Sequence, residues 1–155
     1  MTVTKRITGN PAKLLEMALE DLEKCETSPD YEVQMMEWYL QKEEKTCYVC
    51  LAGAVMAQHL VKDEAFLHLA PCCFNWSTRR KLEFLDSVRV CIEMGKDTVF
   101  GYHARLVPEE FWENFSAKPT TYRKDPEGFK EEIRKAIKFL RDNKITKLNI
   151  EKLPK

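Results

Sequence analysis

An uncharged run of eleven residues, CYVCLAGAVMA at positions 47–57, constrains the fold of this chain more than any other feature. It lies in a 155-residue sequence of which 32% is charged. Runs of small and apolar residues are buried in proteins, and Gly53 between two alanines predicts that another helix or backbone segment approaches closely. We therefore expect a helix that begins at Thr46 or Cys50, ends near Val61 and lies at the centre of the fold.

One sequence pattern marks the first residues of two further helices. Asn10 and Asp125 are each followed by proline, which places a capping side chain just before a residue suited to the first helical position. Apolar residues at spacings of three and four then continue each pattern, with charged residues on the other face. The sequence predicts amphipathic helices over residues 11–24 and 126–143.

The middle of the chain carries two more helix signals. Ser77 is a capping residue ahead of an apolar stripe, and Gly95 is typical of a helix end. A helix is therefore predicted over residues 77–94. A shorter one is predicted after Pro108.

Two segments favour extended structure. Residues 31–40 show the alternation of a strand, although part of the segment also fits helical spacing. We expect this segment to pair with the tail, residues 145–155, or with residues 97–105, and the tail to pack back on the core through Leu148 and Ile150. The sequence thus predicts a mainly α fold: one compact helical domain over residues 1–155, with which a small β element of two or three strands is compatible.

Composition limits the environment and the partners. The first ten residues contain no long apolar run, and no stretch approaches the roughly 18 apolar residues of a membrane span. We expect a cytoplasmic protein with reduced cysteines and no membrane partner. The 25 basic and 25 acidic residues sum to zero net charge, which disfavours nucleic acid as a partner.

Six cysteines raise the question of metal or thiol chemistry. Cys47 and Cys50 have the spacing that lets two thiolates share a zinc ion. The candidates for the other two ligands are Cys72, Cys73, Cys91 and the three histidines. Cys72 and Cys73 are adjacent, however, and adjacent side chains seldom point at one ion. Because cysteines also serve as small apolar core residues, we expect core packing and no cofactor. The alternative is a metal-stabilised or thiol-active site at Cys47 and Cys50, with Cys72, Cys73 or Cys91 completing the set.

Basic residues at the start of the third helix provide a second alternative. Arg79, Arg80 and Lys81 would bind phosphates if a cleft brought them together with His103. The glycines are isolated, so the chain has neither a phosphate-binding loop nor a dinucleotide fingerprint. A nucleotide- or nucleic-acid-binding role is the second alternative. The histidines and carboxylates form no recognisable catalytic set, and we expect a binding protein rather than an enzyme.

The short helix after Pro108 is the candidate contact surface. It interleaves aromatic rings with carboxylates. If the helix displays its rings, at least one must face outward or into a groove; the alternative is that all of them cap the core from one side. Aromatic anchors surrounded by polar residues are typical of binding hot spots. We predict that six residues bind a partner protein: Glu109, Glu110, Phe111, Trp112, Glu113 and Phe115.

Two segments resemble small uncharacterised proteins of tailed bacteriophages and bacteria. The run at residues 47–57, preceded by Trp38, resembles their Cys-x-x-Cys-Leu-Ala-Gly helix start, and residues 125–130 resemble an Asp-Pro-x-x-Phe-Lys helix near their end. The resemblance covers residues 37–60 and 125–140 and carries over no catalytic residue. It implies a phage-type accessory protein that binds a host protein or complex in the host cytoplasm, with inhibition of a host or defence factor as one mode of action.

Overall fold

The computed structural model describes residues 7–35, 39–41, 47–60, 68–69, 74–99 and 101–152, and most of them are helical. This confirms the prediction of a mainly α fold. The elements in chain order are α1 (Pro11–Thr27), β1 (Tyr31–Val33), β2 (Tyr39–Gln41), β3 (Cys47–Val49), α2 (Leu51–Val55), a π-helix (Met56–Leu60), β4 (His68–Leu69), α3 (Trp76–Met94), two 3-10 helices (Lys96–Thr98 and Gly101–Leu106), α4 (Glu109–Glu113), α5 (Pro126–Asp142) and a third 3-10 helix (Ile150–Lys152).

Local capping begins α1 and α5 where the sequence predicts. The Asn10 side chain accepts a hydrogen bond from the N–H of Lys13 at 3.1 Å. The Asp125 side chain accepts one from the N–H of Gly128 at 3.0 Å. A proline follows each cap at the first helical position, where its missing N–H has no intrahelical partner to lose. Each helix buries its apolar stripe, and α1 packs against α5 and α2.

The third predicted helix is also present, with a different cap. Asn75 accepts a hydrogen bond from the N–H of Thr78 at 2.9 Å, so α3 begins at Trp76 instead of Ser77. Gly95 ends the helix with a φ of 106°, a conformation that side chains strongly disfavour.

The uncharged run divides into three elements at the centre of the fold. Its first residues form β3, so of the two predicted helix starts Cys50 is correct and Thr46 is not. The Sγ atom of Cys50 caps α2 by accepting a hydrogen bond from the N–H of Gly53 at 3.3 Å. The chain then continues as the π-helix. Residues 49–56 are buried, and α2 packs against α1 and α3.

Four short strands form one sheet in the order β1-β3-β2-β4. β1 and β3 are parallel, with Val33 opposite Val49, whereas β2 is antiparallel to both β3 and β4. The predicted extended segment therefore supplies β1 and β2. Its predicted pairing with the tail or with residues 97–105 is wrong. β1 pairs with β3, β2 pairs with β3 and β4, and the described parts of those two regions contain 3-10 helices instead of a strand.

One cluster of buried apolar side chains joins the helices to the sheet. The tail packs back onto it as predicted: Leu148 is buried and Ile150 is partly buried against the cluster. Two backbone hydrogen bonds hold the tail in place, from the N–H of Leu148 to the carbonyl of Gly9 and from the N–H of Asn149 to the carbonyl of Leu106.

Candidate functional site

The aromatic rings of α4 lie inside the core. Phe111 has no exposed surface, and Trp112 and Phe115 are each 5% exposed. These three rings and Phe84 of α3 form one group, which we call the aromatic cap. Within it Phe111 lies edge-on to Trp112 at a centroid distance of 4.9 Å and to Phe115 at 5.3 Å.

The indole N–H explains why no ring turns outward. Trp112 Nε1 donates a hydrogen bond to the carbonyl oxygen of Ala104 at 2.9 Å, which satisfies the one polar group of the cap. Edge-to-face packing of rings adds about 0.5–1.5 kcal/mol per pair to the gain from burial. The three rings therefore pack in the core, as the alternative interpretation predicts, and none of them faces solvent, although Trp112 lines a surface hollow.

The carboxylates of α4 remain on the surface. Glu109, Glu110 and Glu113 are exposed, and together we call them the acidic ridge. Glu113 forms a 3.3 Å ion pair with Lys96, whereas Glu109 and Glu110 have no ion pair among the described residues. A hollow of about 490 Å³ lies beside the ridge, lined by Lys96, Asp97, Val99, Gly101, Ala104, Arg105, Val107, Glu109, Trp112 and Glu113.

Two of the six cysteines are buried thiols whose ionisation is suppressed. Cys50 is 2% exposed and Cys91 has no exposed surface. Burial raises the pKa of each thiol to about 12, so both are protonated at neutral pH. Because the thiolate is the nucleophile and the metal ligand, this environment favours the packing role for these two residues.

The metal alternative stays a prediction. The Cys47 backbone lies in β3, and Cys72 and Cys73 lie outside the described residues. Among the described residues, no group of three or more histidine, cysteine, aspartate or glutamate side chains is arranged to hold a metal ion. Measuring zinc per chain in protein purified without added metal tests the alternative directly.

A stripe of charged side chains runs along α3 and is mostly shielded from solvent. Arg80 is 4% exposed and donates a 2.6 Å hydrogen bond to Glu83. Further along, Asp86 accepts a 2.8 Å hydrogen bond from Arg89. Burial raises the pKa of Asp86, and the Arg89 guanidinium opposes that shift.

The same stripe bears on the nucleic-acid alternative. The structure brings Arg79, Arg80 and His103 together, as that alternative requires, but it places the Glu83 carboxylate between them. Glu83 lies 3.7 Å from Arg79 Nε and 3.5 Å from His103 Nε2, besides its bond to Arg80. A phosphate would have to displace this carboxylate, so the arrangement favours a structural ion-pair network.

A buried carboxylate–imidazole pair is the polar feature that sequence reasoning missed. Asp21 of α1 is 1% exposed, and its Oδ2 lies 2.8 Å from Nε2 of His59 in the π-helix. Burial raises the pKa of Asp21 to about 6, and the nearby His59 and Lys24 oppose that shift. The available signal was an aspartate on the apolar stripe of α1, three residues after Ala18.

This pair has the composition of a catalytic base and its orienting carboxylate. π-helices are rare in proteins, but where they occur they are often part of a functional site. The hollows described for this structure are lined by other residues, and neither Asp21 nor His59 lies in their walls. The pair therefore has the chemistry of an acid–base site without a described space for a substrate beside it.

A second polar cluster ties α1 to α5. The hydroxyl of Tyr122 donates a hydrogen bond to Glu26 at the end of α1, and Lys130 Nζ lies 2.9 Å from the same carboxylate. Lys130 is 5% exposed although it is charged. Burial raises the pKa of Tyr122, and the bond to Glu26 adds to the shift. The phenol is protonated and the charges of Glu26 and Lys130 are paired. The role of this cluster is therefore structural: it links α1 to α5.

None of the described helices is long and apolar enough to cross a lipid bilayer. The assignment of a function depends on the geometry given above. No family model matches the chain, and neither a curated protein nor a solved structure matches it.

Proposed function

We propose that this chain is a small phage-type accessory protein that acts in the host cytoplasm by binding a host protein or complex through the acidic ridge. The phage origin is supported by the resemblance of residues 37–60 and 125–140 to small phage and bacterial proteins. The observation that carries the binding role is the pair of exposed carboxylates, Glu109 and Glu110, without ion-pair partners among the described residues.

The packing of the aromatic cap beneath the acidic ridge favours binding of a partner. Phe111 and Trp112 are buried between the carboxylates, and the Trp112 indole is bonded to the backbone of a neighbouring 3-10 helix. The ridge backbone is therefore held in place before a partner arrives. Rigid positioning reduces the ordering cost of binding, so the aromatic cap contributes to affinity without touching the partner.

Charge and shape indicate the kind of partner surface. The unpaired carboxylates attract a basic surface and accelerate its association. The hollow beside α4, with Glu109 and Glu113 in its wall, has room for a lysine or arginine side chain. We therefore expect a basic segment of the host protein to lie along the ridge, with one cationic side chain in the hollow.

Charge reversal separates this surface from the rest of the molecule. The double variant Glu109→Lys, Glu110→Lys is compared with Glu20→Lys, Glu23→Lys, which makes the same charge change on the exposed face of α1. Each tagged protein is expressed in bacteria, and co-purified host proteins are quantified by mass spectrometry. We expect the ridge variant to reduce recovery of the specific host protein about tenfold or more, since like charges then face each other.

The control should retain that host protein at the level of the unmodified chain. Equal recovery with the ridge variant and the unmodified chain would contradict a role for the ridge. Thermal unfolding of both variants confirms that the difference does not come from loss of folding.

A further inference from the structure

A trench separates the edge of the sheet from the segment before α5. Its volume is about 570 Å³, and residues 32–35 form one wall while residues 121–124 form the other. The lining residues are Glu32, Val33, Gln34, Met35, Glu93, Thr121, Tyr122, Arg123, Lys124 and Pro126.

β1 offers backbone hydrogen-bonding groups to this trench. The strand lies at the end of the sheet order and pairs with β3. The N–H of Gln34 donates to the carbonyl of Val49 at 2.8 Å, and alternate residues of a paired strand direct their backbone groups to opposite sides. The N–H and carbonyl of Val33 therefore point away from β3, and within the described part of the chain they have no hydrogen-bond partner.

The wall opposite β1 carries both basic residues of the lining. Arg123 and Lys124 are exposed and have no ion pair among the described residues. Glu93 is already engaged, because it accepts a 3.0 Å hydrogen bond from the N–H of Tyr122 and lies 3.7 Å from Arg89. The two carboxylates Glu32 and Glu93 balance the two cations in formal charge, so the lining is neutral overall, and Arg123 and Lys124 lie together in the segment of residues 121–124.

We infer that the trench binds an extended acidic segment of a partner protein, which adds a strand to β1. Main-chain bonds to Val33 supply affinity, as in other complexes formed by strand addition. Apolar side chains of the segment contact Met35 and Pro126, and an aspartate or glutamate lies opposite Arg123 and Lys124. This site is independent of the proposed acidic ridge, since it attracts the opposite charge.

A single chain fits this site better than a second copy of the protein. Pairing of two sheets edge to edge needs an open flank on each, whereas residues 121–124 form a wall opposite β1. The trench therefore selects a peptide over a whole folded domain.

Peptide selection followed by measured binding tests the inference. A displayed library of random nine-residue peptides is panned against the full chain, and the enriched sequence is synthesised and titrated by fluorescence anisotropy. We expect enrichment of sequences that alternate apolar residues with aspartate or glutamate. The variant Arg123→Glu, Lys124→Glu should weaken binding at least about tenfold. The control Lys144→Glu, Lys147→Glu makes an equal charge change at two exposed lysines after α5 and should bind within about twofold.

A second pair of variants isolates the main-chain contact. Val33→Pro removes an N–H that has no hydrogen-bond partner among the described residues, and proline is compatible with an edge strand. This variant should abolish binding, while Val33→Thr keeps the N–H and should bind normally. If Val33→Pro fails to fold, the Arg123 and Lys124 variant decides. The ridge variant Glu109→Lys, Glu110→Lys should bind the peptide normally, which distinguishes this site from the proposed function.

Three results would overturn the inference. Enrichment of basic sequences, or of none, would contradict an acidic strand as the occupant. Equal binding by the Arg123 and Lys124 variant would remove the charge argument. A stable dimer of the unmodified chain that Val33→Pro dissociates, seen by sedimentation, would show that a second copy occupies the edge.

Discussion

The aromatic cap and the carboxylate of Asp21 are buried to similar degrees, but burial has opposite effects on their free energies. The rings of the cap gain free energy by leaving water, and the single polar group among them, the Trp112 N–H, is bonded to a carbonyl. Asp21 loses hydration when it is buried, which is why its pKa rises despite the imidazole 2.8 Å away. Burial thus stabilises the cap directly, whereas the pair is tolerated only while its partner is present.

Removing a ring should have the largest effect. Trp112→Ala is expected to lower the free energy of unfolding by about 3–5 kcal/mol, because it leaves a large cavity and an unbonded carbonyl at Ala104. Urea unfolding monitored by circular dichroism measures the loss. The neighbouring surface variant Glu110→Ala should change stability by less than about 0.5 kcal/mol. A small loss for Trp112→Ala would mean that the indole is not part of the core.

Removing the imidazole should have the next largest effect. His59→Ala leaves the Asp21 carboxylate buried without its partner, and we expect a loss of about 3 kcal/mol at neutral pH. At pH 4.5 the carboxyl group is protonated, so the loss should be smaller. The double variant with Asp21→Asn should be more stable than His59→Ala alone at neutral pH. Equal losses at both pH values would show that the charge of Asp21 is not the cause.

Asp21 should also give the protein an unusual dependence on pH. Its pKa is about 6 in the fold against an ordinary 3.8, so between these values the folded state holds a proton that the unfolded state releases. The contribution of Asp21 to stability is therefore present below pH 4 and is lost as pH rises through 6. Its size is at most about 3 kcal/mol.

Asp21→Asn tests this dependence. The variant should flatten the stability curve between pH 4 and 6 relative to the unmodified chain, as measured by urea unfolding at intervals of half a pH unit. The exposed Asp30→Asn serves as the control and should leave the curve unchanged. A parallel curve for Asp21→Asn would indicate that the group titrates normally.

Changes to the acidic ridge should have the smallest effect on stability. Glu109→Lys, Glu110→Lys should change the free energy of unfolding by less than about 0.5 kcal/mol, because the rings below keep their contacts and exposed charges contribute little. A large loss would mean that the ridge supports the fold, and its proposed role in binding would then lose its basis.

The helix pattern could be predicted because its determinants are local. Asn10 and Asp125 each bond to a backbone N–H three residues later, and that contact exists as soon as one turn forms. The same holds for Gly95 at the end of α3, whose conformation is a property of one residue. The burial of residues 49–56 was also predictable, since an uncharged run has no stable place in water.

The candidate site was less predictable, because ring direction depends on neighbours distant in sequence. Phe84 and Ala104 decide where Phe111 and Trp112 point, and no periodicity within α4 contains that information. The acidic residues of the ridge are exposed, as expected for a contact surface, because charged side chains on a short helix are rarely buried. The error in the predicted strand pairing has the same origin, because the partner of a strand also depends on contacts between separate segments of the chain.

By itself the sequence determined where the main helices begin, to within one residue, and which of their faces are apolar, since hydrogen bonds and solvation within a few residues suffice for both. Only the tertiary structure decided that Asp21 meets His59, that the rings of α4 close the core and that β1 faces a positively charged wall. Each of these depends on segments separated by more than twenty residues or on helices that meet at a particular angle. Such contacts form only when the whole core is packed, and no local pattern specifies them.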